Sequence, residues 1–303
     1  MLSFFANIFG YVLKFLYDLV GNYGWAIILF SIIVKALMIP ISLKQQKAMK
    51  KNQKLQEEMK QLQFKYKNDP EKLNQEVMAM YKREGASPFS GCLSSIVQII
   101  LLFSVFLMVR QPLTYMVKMD SDILSKIETI VQEQNSETRT AYQEIAVVQY
   151  IKNLDNNNEA VTEKDGVNIL DYKDKINLNM DFLGIDLSQV PTQNWKDVKT
   201  LIIPILYVIS SFISIRLSTS ITKKKEEKKL ITDGESNADE EKVNPMEDAN
   251  KTMAWMMPIM SVSIAVIAPL GLALYWLMNN VLMIIERLIY NKILNKEEAE
   301  ENA

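Results

Sequence analysis

Apolar positions in this chain gather in blocks separated by long polar stretches, and the length of each block limits what it can be. A bilayer core of roughly 30 Å takes about 20 apolar helical residues, with a range of about 17–25. Three blocks fit that window: Trp25–Leu43, with one internal charge at Lys35, then Leu93–Val109 and Thr200–Leu217. A fourth, Met253–Ile285, runs 33 residues without a charge. As one helix it would reach about 50 Å at about 1.5 Å per residue, too far for a single crossing, so it must fold back. Ala268-Pro269-Leu270-Gly271, near its middle, has the chemistry of a tight turn between helices. The pattern predicts an all-α membrane protein with five spans, at 25–43, 89–110, 200–217, 253–268 and 269–290. Counted over the uncharged run alone, the last two spans are only about 15–17 residues each, which predicts a locally thinned bilayer or helices reaching into the headgroups.

Two polar stretches carry helical periodicity of their own. Within residues 1–24, Phe5, Ile8, Phe9, Val12, Phe15, Leu16 and Leu19 recur at helical spacing, with Lys14 and Asp18 opposite, so this segment reads as an amphipathic helix on the outer membrane surface. A cleaved signal peptide is the competing reading, opposed by the lack of a basic region before the apolar stretch and by the interrupting charges. Between the first two spans, residues 44–88, Leu55, Met59, Leu62 and Tyr66 form one stripe, and Leu73, Val77, Met80 and Tyr81 a second. Asn68-Asp69-Pro70 breaks them, with Asp69 as cap, Pro70 as first helical residue and Glu71 complementing the helix dipole. An antiparallel helical hairpin follows, either a solvated connector or a docking surface.

Charge then sets the orientation. The segment Lys44–Pro88 holds 11 basic and 6 acidic residues, and Val109–Lys199 holds 10 basic and 15 acidic. Short cytoplasmic loops carry excess Lys and Arg, so the hairpin is placed inside and the 111–199 loop outside, with the amino terminus outside and the carboxyl terminus inside. The 218–252 loop opens on Lys223, Lys224, Lys225, Lys228 and Lys229, as an inside loop should, and then turns acidic, as does the 291–303 tail. In the outer loop, Ala141, Ile145, Val148 and Ile151 mark one further amphipathic helix.

Composition removes most enzymatic chemistry. The 303 residues contain no histidine and one cysteine, Cys92, which excludes Ser-His-Asp triads, histidine-ligated haem, the usual zinc sites and internal disulfides. No metal, cofactor or catalytic residue is expected, and the net charge of −2 gives no sign of sequence-specific nucleic-acid binding.

Polar residues inside the spans are the remaining signal. A lysine near a helix centre costs about 2.5–3.5 kcal/mol on insertion scales, so Lys35 demands an explanation. Ser31, Lys35 and Ser42 share a face of the first span; Tyr207, Ser211, Ser214 and Ser218 do so in the third; Tyr275, Asn279 and Glu286 in the fifth; and Gln98 adds an amide to the second. Singly, each has a plain account: a serine bonding its own backbone, an amide joining helices, a snorkelling lysine. Together they predict a water-filled groove within the membrane. A Ser31–Lys35 catalytic dyad is the enzymatic alternative, with no evident oxyanion hole to support it. A channel or transporter using the same cavity is the other alternative, and no paired repeat of the two halves favours it.

These residues carry a resemblance. IVKALMIPISLKQQKAMKK, KYKNDPEKLNQEVMAMYKREGASP, GCL at the second span, MMPIM, PLGLALYWLMNN and MDFLGIDLS before the third span together resemble the YidC/Oxa/Alb insertases across all five spans and the hairpin. The resemblance implies a groove open to cytoplasm and lipid in which a basic residue, usually arginine, attracts the polar tail of a nascent membrane protein. Lys35 matches that position and keeps the charge without the planar fork. Ser94 and Ile100 stand where the family commonly has proline, and Asn279 where it often has serine. By the resemblance, Lys35 attracts the client, Ser31, Gln98, Ser211, Ser214, Asn279 and Asn280 line or hydrate the groove, and Tyr275 and Trp276 form its apolar rim. The implied partners are nascent membrane proteins and the bilayer, with the Sec translocon, ribosome and signal-recognition machinery reached through the hairpin. The implied location is a bacterial plasma membrane, consistent with the absence of a transit-like leader.

Overall fold

The computed structural model describes residues 1–85, 90–134, 142–154, 163–164, 166–232, 263 and 265–301. The chain divides into two compact units, one of Met1–Ala6 with Ile33–Leu107 and the other of Asn7–Ile32 with Met108–Ala303.

In the first unit, α2 (Tyr23–Lys65) contributes its part from Ile33 onward, followed by α3 (Pro70–Arg83) and α4 (Ser90–Arg110) to Leu107. Span and hairpin arm are one continuous helix of 43 residues. Lys, Gln, Ala and Met fill residues 44–50, all good helix formers, so nothing there stops propagation. Pro40 lies inside α2 and removes one backbone hydrogen bond, while Ser42 Oγ donates to the Ile39 carbonyl one turn away at 3.0 Å. The turn at 66–68 ends α2, and Asp69 then caps α3, its carboxylate accepting from the Lys72 amide at 3.0 Å. Arg83, at the end of α3, pairs with Glu58 of α2, and Lys65 and Lys72 sit over the Tyr66 ring at 5.2 and 5.5 Å. Gly85 takes φ +55° just past α3, a left-handed position suited to glycine at a helix end.

In the second unit, the 111–199 loop, for which the sequence marks one amphipathic helix, is a folded module with several further elements. Arg110 is followed by a π-helical turn (Leu113–Val117), then α5 (Ser121–Gln134) and α6 (Gln143–Asn153). A short hairpin follows, β1 (Glu163–Lys164) pairing antiparallel with β2 (Val167–Asn168), and then α7 (Lys173–Ile176). A second hairpin pairs β3 (Asp181–Phe182) with β4 (Ile185–Asp186), in the register Asp181↔Asp186 and Phe182↔Ile185. Ile127, Ile130, Ile145, Val148, Ile151 and Ile169 are buried and supply its core. Three of these lie on the predicted amphipathic helix; Ala141 falls outside the described residues.

Helix α1 (Leu2–Val20) is held on this module from Asn7 onward. Gly10 permits the approach, since a Cβ there would fall 1.9 Å from the Tyr115 carbonyl oxygen. Lys118 donates to Asn7 Oδ1 at 2.6 Å and lies 4.3 Å over the Tyr11 ring. At the far end, Asn179 donates through its backbone N–H to Tyr17 OH at 2.8 Å and through Nδ2 to the Gly21 carbonyl at 3.0 Å, and its own carbonyl accepts from the Tyr23 amide.

Two long helices complete the unit, α8 (Val198–Thr232) and α9 (Leu270–Glu301). The predicted break at Ala268–Gly271 is present: residues 265–267 are helical, Ala268 bends, and α9 starts at Leu270. Its first amides are satisfied by the preceding loop, Leu270 N donating to Gln189 O and Gly271 N to Leu187 O, both at 2.9 Å. Residues 253–262 of the predicted fourth span lie outside the described residues. Among the described residues, four helices are long and apolar enough to cross a membrane: Leu2–Val20, Tyr23–Gln46, Val198–Leu217 and Leu270–Tyr290. The last is 21 residues, about 31 Å at about 1.5 Å each, and lies within the expected 269–290. The uncharged run underestimated it because the helix continues through Glu286 and Arg287.

Candidate functional site

The polar residues of the spans are positioned by four helices, α2, α4, α8 and α9. On α2, Ser31 is buried and its Oγ donates to the Ile27 carbonyl at 2.7 Å, the local back-bond expected of a serine in an apolar helix. Lys35 follows one turn later, half-buried, midway along the Tyr23–Gln46 stretch. On α4, Gln98 is helical, and its side chain lies outside the described residues. Ser104, fully buried, bonds back to the Ile100 carbonyl at 2.7 Å.

Helices α8 and α9 form a polar seam. Tyr207 is buried, with its ring 6.0 Å from that of Trp276. One turn on, Asn280 Nδ2 donates to Ser211 Oγ at 2.8 Å and reaches Ser210 Oγ at 3.3 Å, while Ser210 Oγ donates to the Tyr207 carbonyl at 2.8 Å. Further along, Arg287 donates from a guanidinium nitrogen to the Ser214 carbonyl at 3.0 Å. Ser210, Ser211 and Ser214 are all buried.

The structure therefore joins Ser211, Trp276 and Asn280, places Ser214 on the same seam through its backbone, and buries Tyr275 beside it in sequence, while Asn279 is exposed. Sequence periodicity grouped Tyr275, Asn279 and Glu286; the face that meets α8 is one residue on, at Trp276, Asn280 and Arg287, with the same spacings of four and seven. Ser210 and Arg287 were not singled out. The signal for Arg287 was its place seven residues after Asn280, masked by the neighbouring Glu286, which has the same spacing from Asn279.

Residues 15–298 match the family described as 60Kd inner membrane protein. The chain belongs to this family, the YidC/Oxa family. Among curated relatives named membrane protein insertase YidC, that of Helicobacter pylori is 44% identical over 106 residues, 35% of this chain and 19% of the relative. That of Treponema denticola is 27% identical over 286 residues, 94% of this chain and 37% of the relative. That of Caldanaerobacter subterraneus is 40% identical over 101 residues, 33% of this chain and 49% of the relative. The matched regions thus cover about half or less of each relative's length. Membership in the YidC/Oxa family agrees with the apolar helices in making this a multi-pass membrane protein.

Proposed function

We propose that this chain is a membrane protein insertase, which takes the polar or acidic segment of a nascent membrane protein onto side chains held within its spans and releases the apolar helix sideways into lipid. Lys35 carries the reading. A cation midway along an apolar helix costs about 2.5–3.5 kcal/mol, and a function that uses the charge gives a return on that cost. An anionic client segment supplies that return, and its own desolvation penalty falls at the same time. In this reading Gln98, Asn279 and Asn280 hydrate the client segment, Ser31, Ser211 and Ser214 keep their helices polar along one side, and Tyr275 and Trp276 form an apolar rim. No covalent step is involved.

The charge distribution supports an orientation with the amino terminus outside and the carboxyl terminus in the cytoplasm of a bacterial cell, the Lys-rich α2–α3 hairpin facing the cytoplasm, where ribosome, signal-recognition machinery or Sec translocon can reach it. The Asp69 cap and the Arg83–Glu58 pair join its two helices into a defined hairpin.

The test uses purified chain in liposomes with two versions of a small client, one with an acidic tail and one with a neutral tail. Lys35→Ala should slow insertion of the acidic-tailed client about tenfold, the effect of losing about 1.4 kcal/mol of attraction in the rate-limiting state, and leave the neutral-tailed client nearly unchanged. Lys35→Arg should retain both. Equal insertion of the two clients by Lys35→Ala would remove the role of Lys35, and solute flux without client insertion would favour a transporter.

A further inference from the structure

The tip of the β3–β4 hairpin is built against its own backbone preference. Phe182 and Ile185 are paired, leaving Leu183 and Gly184 as a two-residue turn, and both have positive φ, 53° and 76°. Such turns favour Asn-Gly, Asp-Gly or Gly-Gly, because only glycine and short polar residues take left-handed φ cheaply. Leucine has no such excuse. Its side chain is 76% exposed, so no packing inside the protein offsets the strain.

The position of the hairpin indicates what does. Phe182 lies edge-on to Trp25 with ring centroids 5.2 Å apart, and it presses so closely on Gly24 that a Cβ there would fall 2.4 Å from its ring. Asn22 Nδ2 donates to the Asp181 carbonyl at 2.6 Å. The hairpin is therefore fastened to the first turn of the membrane stretch that begins at Tyr23. On its other side, Gly184 shares an open cleft of about 270 Å³ with Asn194, Asp197, Lys199 and Thr200, the segment that leads into α8. Trp25, Trp195 and Val198, the first residue of α8, are exposed apolar groups at the starts of α2 and α8. Tryptophan at the ends of spans is the usual marker of the bilayer interface.

We propose that the β3–β4 hairpin is a lipid anchor, with Leu183 inserted into the leaflet at the end of the membrane where α2 and α8 begin. Burial of a leucine side chain in hydrocarbon outweighs one left-handed residue, which explains why the turn tolerates the strain. Asp181, Asp186 and Asp197 at the hairpin base remain at headgroup level and limit insertion to the tip. The inference rests on α2 crossing the membrane and is independent of insertase activity, so loss of the Lys35 role leaves it standing.

The experiment uses the full chain with Cys92→Ser in phosphatidylcholine–phosphatidylglycerol liposomes. Leu183→Cys, and as control Asp174→Cys on exposed α7, are labelled with an environment-sensitive fluorophore. Quenching by a lipid carrying a shallow nitroxide should be about threefold greater at 183 than at 174, and quenching by aqueous iodide should be reversed in order, as for a probe in acyl chain against one in water. Iodide quenching at 183 equal to that at 174 would overturn the anchor, including the case in which the tip awaits a protein partner.

Discussion

Glu144 is 2% exposed, and a carboxylate so placed must be well bonded or neutral. Its Oε2 accepts from the Leu113 and Thr114 amides at 2.6 and 3.0 Å, and its Oε1 lies 2.6 Å from Thr114 Oγ1. Burial nevertheless dominates these bonds and, helped by the nearby Glu128 carboxylate, pushes its pKa up to about 7. Glu128 of α5 is itself raised by burial. A proton on Oε1 fits the geometry, since it can donate to Thr114 Oγ1 while Oε2 keeps both amides. The sign follows from linkage. The folded chain binds more protons than the unfolded chain between the ordinary glutamate pKa and about 7, so the stability contributed by this group is full at low pH and falls as pH rises to about 7, by about 3 kcal/mol. Glu144→Gln removes the titration and keeps the shape. Its apparent thermal midpoint in detergent should coincide with the parent's near pH 5 and exceed it near pH 8. A lower midpoint at pH 8 would mean that the anion is the form the fold prefers. None of this was legible beforehand, because Glu144 finds its partners 30 residues away across a loop with no motif.

Elements were legible where local chemistry decides them. The Asp69–Pro70–Glu71 start of α3 needs only three adjacent residues, and the structure has that cap, with Lys72 N on Asp69 Oδ1. Asp69→Ala should therefore cost α3 about 1 kcal/mol, seen as roughly fivefold faster amide exchange in its first turn. Unchanged exchange at Lys72 would mean that the Arg83–Glu58 pair and hairpin packing hold α3 without the cap. The end of the first span was not legible, because helix-forming Lys and Gln continue whatever apolar helix precedes them, and hydropathy marks a membrane boundary rather than a helix boundary. The 111–199 module was missed for the opposite reason. Its strands are two residues each, too short for any periodicity, and they exist through non-local burial of Val167, Ile169, Phe182 and Ile185. The α8–α9 seam was half legible: Ser211, Trp276 and Asn280 were visible as candidates by residue type, and only contact with α8 shows that Asn280 rather than Asn279 bonds to Ser211.

At the scale of the molecule, the order of contacts along that seam fixes direction. Tyr207 meets Trp276, Ser211 meets Asn280, and Ser214 meets Arg287, so positions rise together and α8 and α9 run parallel. Both helices also begin beside the same loop, since Leu270 and Gly271 are held by Gln189 and Leu187 and α8 starts at Val198. Two parallel helices consecutive in chain order each cross a membrane only if the connection between them returns the chain to its starting side. The fourth crossing expected from the uncharged run at 253–268 would meet that requirement. The charge count separately leads to the expectation that the 44–88 and 111–199 segments lie on opposite sides. Single cysteines in a Cys92→Ser chain, labelled with a membrane-impermeant maleimide, test the whole arrangement. Lys199→Cys should react in intact cells, whereas Lys72→Cys on α3 and Lys292→Cys on α9 should react only in inverted vesicles. Reaction of Lys199 and Lys292 from the same side would break the pairing of parallel direction with membrane crossing. Reaction of Lys72 alongside Lys199 would instead leave the seam intact and remove the crossing assigned to α4, because only that helix separates the hairpin from the 111–199 module.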